Sequence, residues 1–165
     1  MAIASETAAL GRWLGASLDV DASAEEAFEL FCAVEKWPVW LSFLRSARLA
    51  AGRSPVGLGS EVVIRSSVPG AEEEVYEVDA LTPNYRLSLV GAYSTRRRLD
   101  FRIERRTSRA RVHVRLAYPA YHGKLGELLD GWRHRRKLTA ALNDALVHFK
   151  GLVEYRRHDA VLADL

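Results

Sequence analysis

The spacing of apolar residues indicates one long helix near the end of this chain. From Tyr121 to about Tyr155, large apolar residues recur at three- and four-residue steps: Leu125, Leu128, Leu129, Trp132, Leu142, Leu146, Phe149 and Val153. This spacing places them on one face of an α-helix. At 1.5 Å per residue the helix is roughly 45 Å long, enough to cross a small domain.

The apolar stripe of this helix has a gap between Trp132 and Leu142. The stripe positions in the gap carry Arg135, Arg136 and Thr139. A helix packed against a sheet along its whole length has no need of polar residues there, whereas a helix that roofs a pocket does. We therefore predict that this part of the helix faces a cavity.

The first part of the chain predicts a strand and two short helices. Leu14, Ala16, Leu18 and Val20 alternate with polar residues, which is typical of a strand. Ser23 then stands where a helix cap is expected, with acidic residues in the following turn. Pro38 marks the break before a second helical piece, predicted to contain Trp40, Leu41, Phe43 and Leu44.

From Ala47 to Tyr118 the hydrophobic pattern has a period of two and predicts about six antiparallel strands. In the strand predicted for Glu72–Leu81, the side chains of Tyr76, Val78 and Ala80 are expected on one face. Near the end Leu99, Phe101 and Ile103 alternate with Arg98, Asp100, Arg102 and Glu104, so we expect one apolar and one solvated, charged face. The predicted fold class is α+β, with a curved antiparallel sheet of about seven strands wrapped around the long C-terminal helix. Residues 1–11 are expected to be a flexible leader, 12–155 a single domain and 156–165 a tail.

Three sequence motifs resemble the START-like (SRPBCC) superfamily, which has the helix-grip fold of birch-pollen-allergen proteins. They are DASAEEAF at 21–28, VEKWPVW at 34–40 and GLG at 57–59, and the pattern is most similar to the polyketide cyclase/dehydrase group. The likeness covers about residues 14–153. One departure is Leu41-Ser42-Phe43, where that group usually has a proline. The resemblance implies a cavity between sheet and helix that binds lipids, sterols, hormones or polyketides, with catalysis in some members.

Composition limits the number of domains, the covalent chemistry and the classes of partner that the protein is expected to have. A chain of 165 residues with 48 % hydrophobic residues is the size of one domain with a real core. Cys32 is the single cysteine, which rules out an internal disulfide and a thiolate metal cluster. The N-terminus does not look like a secretory signal and no segment reaches the length of a membrane span, so a cytoplasmic location is expected. The basic runs are interleaved with acidic residues, so nucleic acid is not an expected partner.

Candidate ligand-binding residues are the polar or amphipathic groups on otherwise apolar faces. A buried hydroxyl or guanidinium without a partner costs a few kcal/mol, so each such group needs a neighbour, a water or a ligand. The predicted ligand-binding residues are Ser66, Tyr76, Tyr93, Tyr118, Trp132, Arg136, Thr139 and Asn143. Trp37 and Trp40 are instead expected to pack in the core. The sequence contains none of the common metal, nucleotide or nucleophile motifs, so we expect no metal and no cofactor, and no catalytic residue is assigned.

Three hypotheses for the function follow. The leading one is binding of a hydrophobic or amphipathic small molecule, such as a lipid, a polyketide-like chain or an aromatic compound. The alternative is a metal-free enzyme of the polyketide cyclase/dehydrase type, in which Tyr76, Tyr93, Arg136 or Asn143 polarises a carbonyl or relays a proton. The third is a ribosome- or RNA-associated module similar to the antitoxin-type members of the superfamily. The sequence leaves the ligand open, as well as the choice between monomer and homodimer.

Overall fold

Seven antiparallel strands form one curled sheet in the computed structural model, which describes residues 12–52, 55–67, 72–118 and 126–163. The strands are β1 (Arg12–Val20), β2 (Leu44–Leu49), β3 (Glu61–Ser66), β4 (Glu73–Thr82), β5 (Arg86–Gly91), β6 (Ser94–Arg105) and β7 (Ala110–Tyr118). They are ordered β1-β7-β6-β5-β4-β3-β2. A C-terminal helix, α3 (Gly126–Ala163), packs mainly against β1. The predicted α+β helix-grip architecture is confirmed.

Two short helices follow β1, as the sequence predicts. In α1 (Ala24–Cys32), the hydroxyl of Ser23 accepts a hydrogen bond from the Glu26 N–H, and the Glu26 carboxylate accepts one from the Ser23 N–H. A 3₁₀ turn (Val34–Lys36) leads into α2 (Trp37–Trp40), with Pro38 in its first turn. The prediction that this second helix contains Leu41, Phe43 and Leu44 is wrong, and Trp40 alone of the four lies in it. The backbone leaves the helical region at Leu41, and Leu44 begins β2.

A β-bulge in β4 corrects the predicted face of Ala80. Val78 pairs with Leu89, but the next pair is Ala80 with Ser88, so one extra residue is inserted between them. An inserted residue reverses the alternation of side chains that follow it. Leu81 therefore packs on the core in the place predicted for Ala80.

Five aromatic rings hold the helices to the sheet. Phe31 of α1 packs on Phe101 of β6 and on Phe149 of α3, with ring centroids 5.0 and 4.8 Å apart. Trp40 of α2 meets Phe149 edge-on at 5.0 Å, and Trp37 meets Phe101 at 5.3 Å. We call these five residues the aromatic cluster. Trp37 and Trp40 are fully buried, as predicted for core residues, and the Trp37 indole N–H donates to the carbonyl of Phe31 at 2.8 Å.

The second half of α3 is fastened to this cluster. Its buried side chains from residue 142 onwards are Leu142, Ala145, Leu146, Phe149 and Val153. Polar contacts add to them, because Lys150 donates to the carbonyl of Asp19 at 3.2 Å and the N–H of Asp21 donates to Glu154 at 2.8 Å. We call residues 142–153 the anchored segment. The helix continues beyond the predicted end near Tyr155 and ends at Ala163.

The convex face of the sheet is charged with both signs, but it is not uniformly solvated as predicted. Asp100 is 1 % exposed, and so is Ser88, which pairs with it on β5. The Nε atoms of Arg86 and Arg102 lie 2.7 and 2.8 Å from the two carboxylate oxygens of Asp100. The long arginine stems cover the short aspartate, which explains its burial.

Within the residues that the structure describes, every helix is too short or too polar to span a bilayer.

The aromatic cluster predicts a large difference between two positions on α3. Phe149→Ala removes a fully buried ring that contacts Phe31 and Trp40, and we expect it to lower the free energy of unfolding by about 3–5 kcal/mol. Val147→Ala, at a position 61 % exposed on the same helix, is the control and is expected to change it by less than about 0.5 kcal/mol. Urea unfolding measures both. Equal effects of the two substitutions would contradict the packing described.

Candidate functional site

Along one flank of α3, the side chains become more exposed in the turns before Leu142. Continuing toward the N-terminus in steps of three and four residues leads from Leu142 to Thr139 and then to Arg135. Leu142 is 1 % exposed, Thr139 is half-buried and Arg135 is exposed. The gap that the sequence shows in the stripe is therefore a half-buried to exposed flank of α3, while Leu138 beside it still packs against the core.

An open groove of about 490 Å³ lies at this point. It is lined by Arg135, Arg136, Thr139, Ala140 and Asn143. The Thr139 hydroxyl donates to the carbonyl of Arg135 at 2.9 Å, so its oxygen keeps lone pairs for a further donor. Three of the predicted ligand-binding residues, Arg136, Thr139 and Asn143, thus line one groove on the flank of α3.

A second group of polar side chains lies on the concave face of the sheet. The hydroxyl of Tyr76 donates to Oε2 of Glu74 at 3.0 Å, and the guanidinium of Arg97 forms an ion pair with Oε1 of the same carboxylate. Tyr76 pairs with Val62 of β3 and Glu74 pairs with Ile64, so both share the register of core residues. We call Glu74, Tyr76 and Arg97 the concave polar cluster.

The sheet brings these three residues together across the end of β5. Strands β4 and β6 are not neighbours, and two strand spacings separate them by about 10 Å. Gly91 of β5, which pairs with Tyr76, has no side chain to fill the space between them. Arg97 lies two residues before the buried Leu99 on the same side of β6, and its long side chain reaches Glu74.

The three members of the concave polar cluster differ in exposure. Tyr76 is 9 % exposed, but the side chains of Glu74 and Arg97 are 43 % and 40 % exposed. Side chains on a core-facing register are normally covered by the element that packs on the sheet. Glu74 and Arg97 are thus reached by solvent although they lie beside core-facing residues.

Burial determines the protonation of Tyr76. The low exposure of its ring raises the pKa of the hydroxyl well above its ordinary value of 10.0, and the neighbouring Glu74 carboxylate raises it further. Arg97 acts in the opposite direction but is the smaller influence. Tyr76 is therefore a hydrogen-bond donor at neutral pH and not a base.

The other predicted residues have separate positions. The Ser66 hydroxyl, near the end of β3, lies 3.5 Å from the carbonyl of Phe43 and is half-buried. Tyr93, in the turn between β5 and β6, is 92 % exposed. Tyr118 is the last residue of β7 and its backbone pairs with Arg12. The side chains of Tyr118 and Trp132 lie outside the described part of the chain.

The sequence prediction misses two members of the concave polar cluster, Glu74 and Arg97. The signal is present, since Glu74 stands two residues before Tyr76 and Arg97 stands two residues before Leu99, each on an apolar register. Both also belong to runs of charged residues, and this hides them among solvated side chains. A charged residue that continues the apolar register of a strand is the pattern to search for.

Nearly the whole chain matches one known protein family. Residues 14–154 match the family described as polyketide cyclase / dehydrase and lipid transport, and the chain belongs to it. No curated protein matches the chain.

Solved structures with similar folds have low sequence identity. TTHA0849 from Thermus thermophilus has a TM-score of 0.67 at 15 % identity, over 88 % of this chain and 99 % of that one. A START superfamily protein from Mycobacterium smegmatis has a TM-score of 0.59 at 20 % identity, over 88 % and 99 %. The di-domain ARO/CYC StfQ of the steffimycin biosynthetic pathway has a TM-score of 0.66 at 16 % identity, over 88 % of this chain and 52 % of StfQ. At such identities the likeness shows the fold alone.

The raised pKa of Tyr76 predicts a pH dependence of stability. Below pH 10.0 the hydroxyl is protonated in both the folded and the unfolded chain. Above it the unfolded chain loses this proton while the folded chain retains it, so the free energy of unfolding falls as pH rises, by at most about 1.4 kcal/mol per pH unit. Tyr76→Phe removes this contribution and is expected to make the fall between about pH 10 and pH 11 shallower. Urea unfolding of the two proteins at several pH values measures it, and parallel curves would contradict the prediction.

Proposed function

We propose that this protein binds a hydrophobic or amphipathic small molecule between the concave face of the sheet and the part of α3 that includes residues 135–143. The observation that carries the proposal is the half-exposed ion pair of Glu74 and Arg97 on a core-facing register. Charged groups on an apolar face, reached by solvent, are typical of the polar end of a binding site.

The chemistry of the concave face supports an apolar ligand body. The side chains that share this face with the concave polar cluster include Val62, Ile64, Val78 and Leu89. Small-molecule sites combine such apolar walls with a few polar groups that orient the ligand, and their volumes are about 300–1,000 Å³. The groove on α3, at about 490 Å³, is within this range.

The proposed ligand contacts come from two sides. Ser66 and the concave polar cluster are the contacts from the sheet, and Arg136, Thr139 and Asn143 are the contacts from the helix. Tyr93, Tyr118 and Trp132 stay predictions from the sequence. The family description, which combines polyketide cyclases and lipid transport, supports a ligand of this class without naming one.

Filling the groove tests the proposal. The neutral fluorescent probe N-phenyl-1-naphthylamine is expected to bind the unmodified protein with a rise in emission. Ala140→Trp places a large ring in the groove and is expected to raise the Kd by about tenfold or more, which corresponds to roughly 1.4 kcal/mol. Val147→Trp, on an exposed part of the same helix outside the groove, is the matched control and is expected to leave the Kd unchanged.

Two results would contradict the proposed function. One is a probe that does not bind the unmodified protein, and the other is equal affinity of the two tryptophan variants. Urea unfolding of both variants shows that a lost affinity does not come from a lost fold. Native mass spectrometry of the purified protein then searches for a co-purified ligand.

A further inference from the structure

We infer that the ligand is an amphipathic anion, and that its negatively charged head group, such as a carboxylate or a phosphate, binds in the groove on the flank of α3. The inference rests on the proposed function and adds the charge of the ligand's head group. It follows from the charged side chains on the two sides of the proposed site.

The sheet side of the proposed site carries charges of both signs. Glu74 and Arg97 form an ion pair, so the concave polar cluster has one negative and one positive group. The guanidinium offers N–H donors and the carboxylate offers acceptors, and together they can hydrogen-bond head groups of several kinds. This side therefore does not select a ligand by its charge.

The helix side carries positive charge. Of the five described residues that line the groove, the charged ones are Arg135 and Arg136, and none is acidic. Arg135 is exposed, and the contact described for it uses its backbone carbonyl and not its guanidinium. Asp144 comes one turn after Ala140 and is not part of the lining. Within the described part of the groove, an entering anion therefore meets guanidinium groups and no carboxylate.

The other polar group that can donate in the groove suits an anion as well. The amide of Asn143 has two N–H donors, whereas the hydroxyl of Thr139 already donates its proton to the carbonyl of Arg135. A guanidinium presents its N–H groups as a planar fork that binds two oxygens of a carboxylate or phosphate at once. Arg135 and Asn143 together therefore supply charge and directed donors to one anionic head group.

Three probes with the same ten-carbon chain test the inference: decanoate, 1-decanol and decyltrimethylammonium. Each competes with N-phenyl-1-naphthylamine for the full-length protein at neutral pH and below its micelle concentration. Arg135→Gln is expected to raise the Kd of decanoate about fivefold, which corresponds to roughly 1 kcal/mol, because an exposed ion pair is lost. The Kd of 1-decanol is expected to change by less than about twofold.

A matched control removes the same charge elsewhere on α3. Arg156 is exposed on this helix and does not line the groove, and Arg156→Gln is expected to leave the affinities of decanoate and 1-decanol unchanged. Urea unfolding of both variants shows that a lost affinity does not come from a lost fold.

Charge reversal and salt provide a second measurement. Arg135→Glu is expected to weaken decanoate by more than Arg135→Gln does and to strengthen decyltrimethylammonium about fivefold, since the sign of the interaction is reversed. Raising the ionic strength from about 0.1 M to about 1 M shortens the screening length from about 10 Å to about 3 Å. In the unmodified protein this change is expected to lower the affinity of decanoate relative to that of 1-decanol.

The outcomes separate the inference from the proposed function. If N-phenyl-1-naphthylamine binds but Arg135→Gln leaves the ratio of the decanoate and 1-decanol affinities unchanged, the inference is overturned and the proposed function stands. If Arg156→Gln weakens decanoate as much as Arg135→Gln does, the anion responds to the total charge of the protein and the inference is again overturned. If the fluorescent probe and all three ten-carbon probes fail to bind, both are overturned.

Discussion

The stacking of Phe149 on Phe31, with Trp40 against its edge, joins the C-terminal helix to everything else in the fold. Phe31 and Trp40 belong to the two short helices, and Phe101 brings in the centre of the sheet. Such rings bury large apolar areas and add specific edge and face contacts. Because five of them meet at one place, they hold the second half of α3 against β1 and the two short helices.

That constraint explains where the groove on α3 lies. The helix is held by the buried side chains of residues 142–153, and polar side chains from Arg135 to Asn143 line an open groove on its flank. On the sheet, the side chains of Glu74 and Arg97 are half-exposed, although neighbouring residues on the same face are buried. The apolar contacts are therefore concentrated on the second half of α3, and polar side chains are exposed beside them.

The sequence predicts the fold well because periodicity is a direct consequence of burial. The period of two in β6 and β7, the three- and four-residue steps of α3 from Leu142 onward and the Ser23 cap each reflect one local cause, and each is confirmed. The earlier steps, Leu125, Leu128 and Leu129, have side chains outside the described part of the chain. The errors arise where the cause is not local. The bulge before Ala80 is an insertion relative to β5, and the burial of Asp100 depends on Arg86, which is distant in sequence.

The site is harder to predict for a similar reason. Thr139 and Asn143 can be chosen because the apolar stripe of α3 is interrupted in the sequence itself. Glu74 can be recognised as a candidate only once its ion pair with Arg97, two strands away, is known. Gly91, which pairs with Tyr76 on the strand between them, has no side chain there. A charged residue on an apolar register has no interpretation until its partner across the sheet is known.

Hydrogen–deuterium exchange along α3 tests the central claim most directly. If the aromatic cluster anchors residues 142–153 and the preceding turns border an open site, backbone amides of 142–153 exchange at least about tenfold more slowly than those of 135–141. Phe149→Ala then removes most of this difference. Equal protection along residues 135–153 would show a helix packed evenly over its length and would contradict the account.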